Sequence, residues 1–313
     1  MTFLELQQSV YDRCGHQQSP PTEVSRRIKA FLNRWNRKIL SAKGMEPLRR
    51  VTITKASVAD QATYGIALQK IRYVFEATNQ RRIWEKTLAW YADNFPDPAS
   101  FSGTPTDWVP LGLTRIHTRP SAACELFVVS TEAADTGTVR VTATRSNGYS
   151  VSLSKSLSGT TPVSMSASIT DVIDITDVRL SAAQTGSVTV TQGSGGTELS
   201  KMVIGQTAPR FLRYALAPTP SAAITYSIIG IAPLVDMTND TDEPFEDADF
   251  HDILVDGAVH DEWNSRGRAM EARSLATDIE ERIRELRLSI LEWPESDDER
   301  VRSFEDTIHL PIT

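Results

Sequence analysis

Apolar residues in this chain keep two different periods, and the change between them limits the folds open to it. Near the start, Val24, Ile28, Phe31, Leu32, Trp35 and Ile39 fall on one helical stripe. Arg26, Arg27, Lys29, Arg34, Arg37 and Lys38 occupy the rest of that surface. From Leu126 to Gln192 the texture changes to Ser, Thr, Val and Gly, and Val139-Val141-Ala143, Val151-Leu153 and Val188-Val190 alternate with polar residues. Toward the end, Leu275, Ile279, Ile283, Leu286 and Ile290 return to helical spacing. Helices at both ends and strands between them make an α+β chain.

The first helix is read over residues 2–14, with Phe3, Leu6, Val10 and Cys14 on one face and Gly15 as its stop. Ser19-Pro20-Pro21-Thr22-Glu23 opens the second helix, which Gly44 and Pro47 close. Residues 51–120 form a hub of short strands. Val51, Ile53 and Lys55 alternate with threonines, and Tyr64–Leu68 and Ile71–Phe75 are further strands. Arg82–Lys86 reads as strand and Thr87–Asn94 as a helical turn. Pro96-Asp97-Pro98 and Gly103-Thr104-Pro105 then break regular structure before Trp108-Val109 and Leu113–His117 resume strand character.

In the Ser/Thr-rich segment, turn signals recur about every ten residues, at Asp135-Thr136-Gly137, Asn147-Gly148, Ser158-Gly159 and Thr185-Gly186. Asn147-Gly148 predicts a two-residue hairpin turn with both central residues at φ > 0. This spacing predicts a small antiparallel β-sandwich of Ig-like kind, left through a flexible linker at Gly193–Gly196. Strands at Phe211–Leu216 and Ile224–Ile231 return to the composition of the hub. A helix follows with Phe250, Ile253, Leu254, Gly257 and Ala258 on one face, Gly257 permitting close approach of a neighbour and Gly267 marking a break. The last helix carries Asp278–Arg282 and Glu280–Arg284 pairs and stops at Trp293-Pro294. The expected organisation is residues 1–120 and 201–295 as one α+β domain, 121–200 as an inserted sandwich, and 296–313 as an extended tail.

Net charge is −7 and unevenly placed. Residues 1–100 hold 16 Lys+Arg against 9 Asp+Glu, whereas residues 240–313 hold 8 against 22. A basic head and an acidic tail predict electrostatic contact between copies or with a partner. Trp35 and its apolar neighbours account for the basic helix as a core element rather than a nucleic-acid reader. No apolar run reaches the roughly 20 residues of a membrane span, so no membrane partner is expected. The first residues show neither basic nor apolar leader character, so no signal peptide is expected. Two cysteines, Cys14 and Cys124, predict free thiols rather than a disulfide framework.

Motifs of catalysis are not legible. His16, His117, His251, His260 and His309 lack metal-ligand spacing, and there is no phosphate loop or nucleophile elbow, so no cofactor and no enzymatic activity are expected. His251 with Asp252 and Asp256 is read as a solvated helix face. Asp236, Asp240, Asp242, Glu243, Glu246 and Asp247 form an acidic loop without calcium-loop spacing. Asp171, Asp174 and Asp177, three apart, divide between the faces of a strand and read as turn or edge residues.

The order of these parts resembles the head-to-tail adaptor (connector) proteins of tailed bacteriophages. The residues that carry the likeness are Thr2-Phe3-Leu4-Glu5-Leu6, Arg34-Trp35-Asn36, Val51-Thr52-Ile53-Thr54 followed by Tyr64, and Ile71-Arg72-Tyr73-Val74. Asn79 with Arg82-Ile83, Gly103-x-Pro105 with Trp108, Phe211–Pro220 and the run from Phe250 to Ala258 complete the series. Together they lie within residues 1–120 and 200–292, about two-thirds of the chain. The segment at 122–200 departs from the minimal pattern as an Ig-like insertion. The resemblance implies a non-enzymatic virion protein of the neck, made in the host cytoplasm. It implies a ring of about twelve copies beneath the portal protein, a tail or nozzle protein below, and DNA passing through an acidic lumen without sequence-specific contact. The apolar-ended tail, with Phe304, Ile308, Leu310 and Ile312, is the expected portal-docking element. The alternative reading is a phage surface or host-binding β-sandwich on a helical stalk.

Overall fold

The computed structural model describes residues 1–244 and 250–291, Leu291 by its backbone alone. In chain order the elements are α1 (Phe3–Cys14), α2 (Thr22–Leu40), β1 (Arg50–Ala56), β2 (Thr63–Ile66), β3 (Lys70–Glu76), β4 (Arg81–Glu85), α3 (Leu88–Asn94), β5 (Ser102–Gly103) and β6 (Asp107–Thr114). Next come β7 (Leu126–Ser130), β8 (Thr138–Arg145), β9 (Ser150–Ser156), β10 (Val163–Ser164), β11 (Val172–Leu180), β12 (Val188–Gln192) and β13 (Glu198–Met202). The order ends with β14 (Phe211–Ala217), β15 (Thr219–Pro220), β16 (Thr225–Ile231), α4 (His251–Ser265) and α5 (Ala269–Leu291). The fold is mixed α+β, with several sheets and β structure predominating among the described residues. The chain divides into two compact units, one from residues 1–50 with 234 onward, the other from 51–233.

The first unit is helical, and its core joins the two ends of the chain. Phe3, Leu6 and Val10 of α1, Ile28, Leu32, Trp35 and Ile39 of α2, Ile253, Leu254 and Ala258 of α4, and Ile279, Leu286 and Ile290 of α5 pack together. Helix α4 touches α1, α2 and α5. It is accordingly buried on more than one side, Ile253, Leu254, Val255, Ala258 and Val259 being all but inaccessible. Gly257 lets Trp35 lie directly on the α4 backbone, since a Cβ there would stand 2.3 Å from Trp35 Cδ2. The close approach expected from this glycine is therefore present. Thr2 and Glu5 form a capping box at the start of α1. The two preceding donors of that turn, Phe3 N–H and Leu4 N–H, bond the carbonyls of Asp242 and Asp240 at 2.7 and 3.0 Å.

Opposite charges from the two chain ends also meet inside this unit. Arg27 grips Glu262 at 2.9 and 2.8 Å, Arg34 lies 3.3 Å from Asp261, and Arg37 3.2 Å from Asp236. Part of the complementarity that the charge split assigns to copies or partners is thus used within one protomer. Arg282 likewise reaches across to α4, 2.6 Å from Asp256 Oδ2, rather than along its own helix to Asp278 as expected. The buried carboxylate is the better acceptor because less water competes for it.

The second unit holds a seven-stranded sheet in the order β1-β16-β3-β4-β6-β14-β2, so consecutive strands β1 and β2 form its two edges. Tyr64, Ile66, Val74, Trp108, Tyr214, Tyr226 and Ile228 fill one face, while Tyr91 of α3 packs on Val109, Ala215 and Ala217 of the other. Two further sheets, β10-β7-β12-β13 and β11-β8-β9, share a second core that includes Val128, Val190, Leu199, Val141, Leu153 and Val178. The inward period-2 residues of the sequence supply that core.

Two local expectations change. Gly193–Gly196 is a turn between β12 and β13 rather than an exit linker, with Gly193 and Gly195 at φ 74° and 68° and Gln192 N–H bonding Thr197 O. Glycine clusters suit a tight reversal as readily as a loose linker, and the β12–β13 pairing selects the reversal. At Asn147-Gly148 only Gly148 has positive φ, and the β8–β9 loop closes through Gly148 N–H to Arg145 O and Arg145 N–H to Tyr149 O. This is a three-residue loop with glycine at the left-handed position, not the two-residue turn.

Candidate functional site

The expected docking residues Phe304, Ile308, Leu310 and Ile312 lie outside the described residues, as do Glu246 and Asp247 of the acidic loop. The rest of that loop is structural. Asp242 accepts from the N–H groups of Thr238 and Asn239 at 2.6 and 2.9 Å, and these bonds outweigh burial to hold its carboxyl below the ordinary range. Among the described residues no group of three or more His, Cys, Asp or Glu is placed to hold a metal ion.

His251 and Asp256 are not the solvated face expected of them. His251 is buried, with Nδ1 2.7 Å from the Met1 amine, and Asp256 is buried between Arg13 and Arg282. Asp252 is exposed as read, but α4 is otherwise central, so His251 meets the amine of Met1 and Asp256 meets arginines of α1 and α5 rather than water. Glu262, fully buried, is the strongest such case. Arg27 and Arg266 donate to it at 2.8–2.9 Å and His16 Nε2 lies 3.1 Å away. Burial alone would raise its pKa, but these donors more than offset that and hold it below the ordinary value. Burial, helped by the same Glu262 charge, pushes the Cys14 thiol up to about 11, which keeps it protonated and unreactive at neutral pH.

In the second unit the segment after β6 runs beside β13, with His117 N–H and Thr118 N–H both directed at Leu199 O. Two adjoining depressions flank this segment. One, of about 950 Å³, is lined by Arg115, Arg119, Arg210, Arg213, Asp174 and Gln206 among others. The other, of about 520 Å³, runs between the β1 and β2 edges and is lined by Ile53, Lys55, Val58, Ile66, Lys201 and Phe211 among others. Asp174 and Asp177 do not divide between faces as expected. Two bulges in β11 interrupt its alternation, so Val172, Ile175 and Val178 turn to the core. Asp174 pairs with Arg119 at 3.3 Å and Asp177 with Arg115 at 3.4 Å.

Lys55 is the unusual charge here. Its Nζ donates to Gly65 O at 2.9 Å and to His117 O, and no carboxylate pairs with it among the described residues. Burial pushes its pKa down to about 8. His117 bonds Glu198 Oε1 and Thr118 Oγ1, each at 2.9 Å, and stacks edge-on against Phe211. Burial first and the Lys55 cation second lower its pKa, with Glu198 acting in the opposite sense.

Sequence reasoning missed this Lys55–His117–Glu198 neighbourhood because its members lie 62 and 81 residues apart. One signal was present: Lys55 occupies an inward position in the Val51-Ile53-Lys55 alternation, where a charge is out of place. No protein-family model matches this chain, and no curated protein matches it in sequence.

Proposed function

We propose that this chain is a structural, non-enzymatic virion protein: a head-to-tail adaptor that forms a ring beneath the portal, joins capsid to tail in the neck and lines the DNA exit channel. In this reading α1, α2, α4 and α5 are the adaptor's helical bundle, the seven-stranded sheet is its small β domain, and residues 121–200 are an inserted Ig-like sandwich. The observation that carries it is the ordered series of adaptor-like segments, read together with the packing of residues 1–50 and 234–291 into one helical core. That series spans both chain ends and breaks only at the segment whose apolar residues form a core of their own.

The ring requires a head-to-tail interface that closes on itself. Because Arg27, Arg34 and Arg37 are paired within the protomer, their charge is not the source of that interface, and other surfaces must supply it. The test is the mass of the full chain, alone and mixed with the portal protein of the same virus, by light scattering or mass photometry. A ring of about twelve copies on the portal is the expected result. A chain that remains monomeric and ignores the portal overturns the proposal. Removal of residues 296–313 is expected to abolish portal binding; binding at full strength without them rejects the tail as the docking element.

A further inference from the structure

We propose that the larger of the two depressions in the second unit binds a compact, phosphate-bearing oligoanion, gripped by Arg210 and Arg213. The inference does not depend on the virion reading. Two basic stretches of the chain meet at this place. Arg115 and Arg119 lie on the segment that leaves β6, and Gly65 lets that segment cross β2, since a Cβ there would stand 2.1 Å from Ile116 O. Arg210 immediately precedes β14 and Arg213 lies within it. In the sheet Arg213 stands between two glycines, Gly65 of β2 and Gly112 of β6. Neither neighbour has a side chain to pair with its guanidinium. A Cβ built on Gly112 would meet nothing within 4 Å, so the space beside it is open.

Charge in the depression is unbalanced even after its internal pairs are set aside. Arg119 is taken by Asp174 and Arg115 by Asp177. Asp174 is the one carboxylate among the lining residues. Arg210 and Arg213 remain, with no hydrogen bond or ion pair among the described residues. Their mutual repulsion is relieved by an anion and by no neutral ligand. Guanidinium forks match phosphate oxygens in pairs, and the oxygens of a phosphoryl group point in several directions, so donors on different flanks can share one group. Thr63, Thr207 and Gln206 line the same space and supply neutral donors for the remaining oxygens. The volume of about 950 Å³ is that of a pocket for a small organic molecule rather than for a single ion. The class is therefore an oligophosphate or a nucleotide, not orthophosphate.

The probe is inorganic tripolyphosphate, titrated into the full chain by calorimetry at low ionic strength. The expected result is a single site per chain that weakens as salt rises. Arg210→Gln and Arg213→Gln are each expected to lose about ten-fold in affinity. Arg273→Gln, at an exposed arginine of the helical unit, is expected to lose nothing. ATP forms the second arm: equal or higher affinity assigns the site to nucleotides, lower affinity confines it to inorganic oligophosphate, and either sustains the site. Absence of tripolyphosphate binding, or the same loss from Arg273→Gln as from the two pocket variants, overturns the proposal. Citrate binding as tightly as tripolyphosphate overturns the choice of phosphate, and a single-stranded oligonucleotide binding about ten-fold tighter than either probe overturns that of a small ligand. If Arg213→Gln does not fold, Arg210→Gln, at an exposed position, decides the question alone.

Discussion

The helical unit and the core shared by β7–β13 bury carboxylates by opposite means. In the helical unit, Glu262 and Asp256 are held by four arginines, three of them from other helices: Arg27 of α2 for the first, joined by Arg266 at the end of α4 itself, and Arg13 of α1 with Arg282 of α5 for the second. In the β region, Asp135 accepts instead from neutral donors: Ser130 Oγ at 2.6 Å, Thr185 Oγ1 at 2.7 Å, and the N–H groups of Thr185 and Gly186 at 3.0 and 2.9 Å. Helices leave their side chains as the only groups free to reach a neighbour, because backbone donors are used along the axis. Turns between strands have free N–H groups and can hold an anion without a cation. One region is therefore tied together by charge pairs across elements, the other by a loop knot.

Substitutions at the two anchors should separate these designs. Glu262→Ala leaves two arginines facing a buried void and is expected to cost about 3–5 kcal/mol, read as the shift in urea midpoint. Asp135→Ala removes an acceptor from several donors and is expected to cost about 2–3 kcal/mol with little dependence on salt. If high salt lowers the cost of Asp135→Ala as much as that of Glu262→Ala, the contrast fails. Gly257→Ala tests packing rather than charge: the added methyl meets Trp35, and the expected cost is about 1–3 kcal/mol. Thr2→Ala, which opens the capping box of α1, is expected to cost about 1 kcal/mol.

The pH response sharpens the same comparison. Glu262 and Asp135 both have folded-state pKa values below the ordinary 4.5 and 3.8. Their contribution is therefore full above those values and is lost as pH falls through the depressed ones. Lys55 works at the other end of the scale. Its folded-state value of about 8 lies below the ordinary 10.5, so the cost of burying its charge falls as pH rises between the two. Unfolding free energy should rise across that window, and Lys55→Met should flatten the rise; an unchanged slope in the variant would assign it to other groups.

Much of the architecture was legible because it follows from local period. The stripe from Val24 to Ile39 became α2, and the alternations at Val139–Ala143 and Val188–Val190 became β8 and β12. Even the ambiguous stretch around Ile83–Tyr91 divided as read, into β4 and α3. The candidate site was mostly illegible. Its groove is lined by both β1 and β2, neighbours in sequence that stand at opposite ends of the strand order. The bulges of β11 likewise send Asp174 and Asp177 to arginines that no spacing rule identifies.

By itself, the sequence determined which segments are helix or strand, where most turns fall, and which residues face a core. Those properties depend on residues within one or two turns of one another. Tertiary structure alone decided that α4 lies at the centre of the helical unit and that its acids meet arginines from α1, α2 and α5. It also decided that Gly193–Gly196 reverses the chain and that Lys55 meets the carbonyls of Gly65 and His117 rather than a carboxylate. Each is a choice among partners far apart in the chain, settled by the high cost of leaving a buried charge or backbone group unpaired.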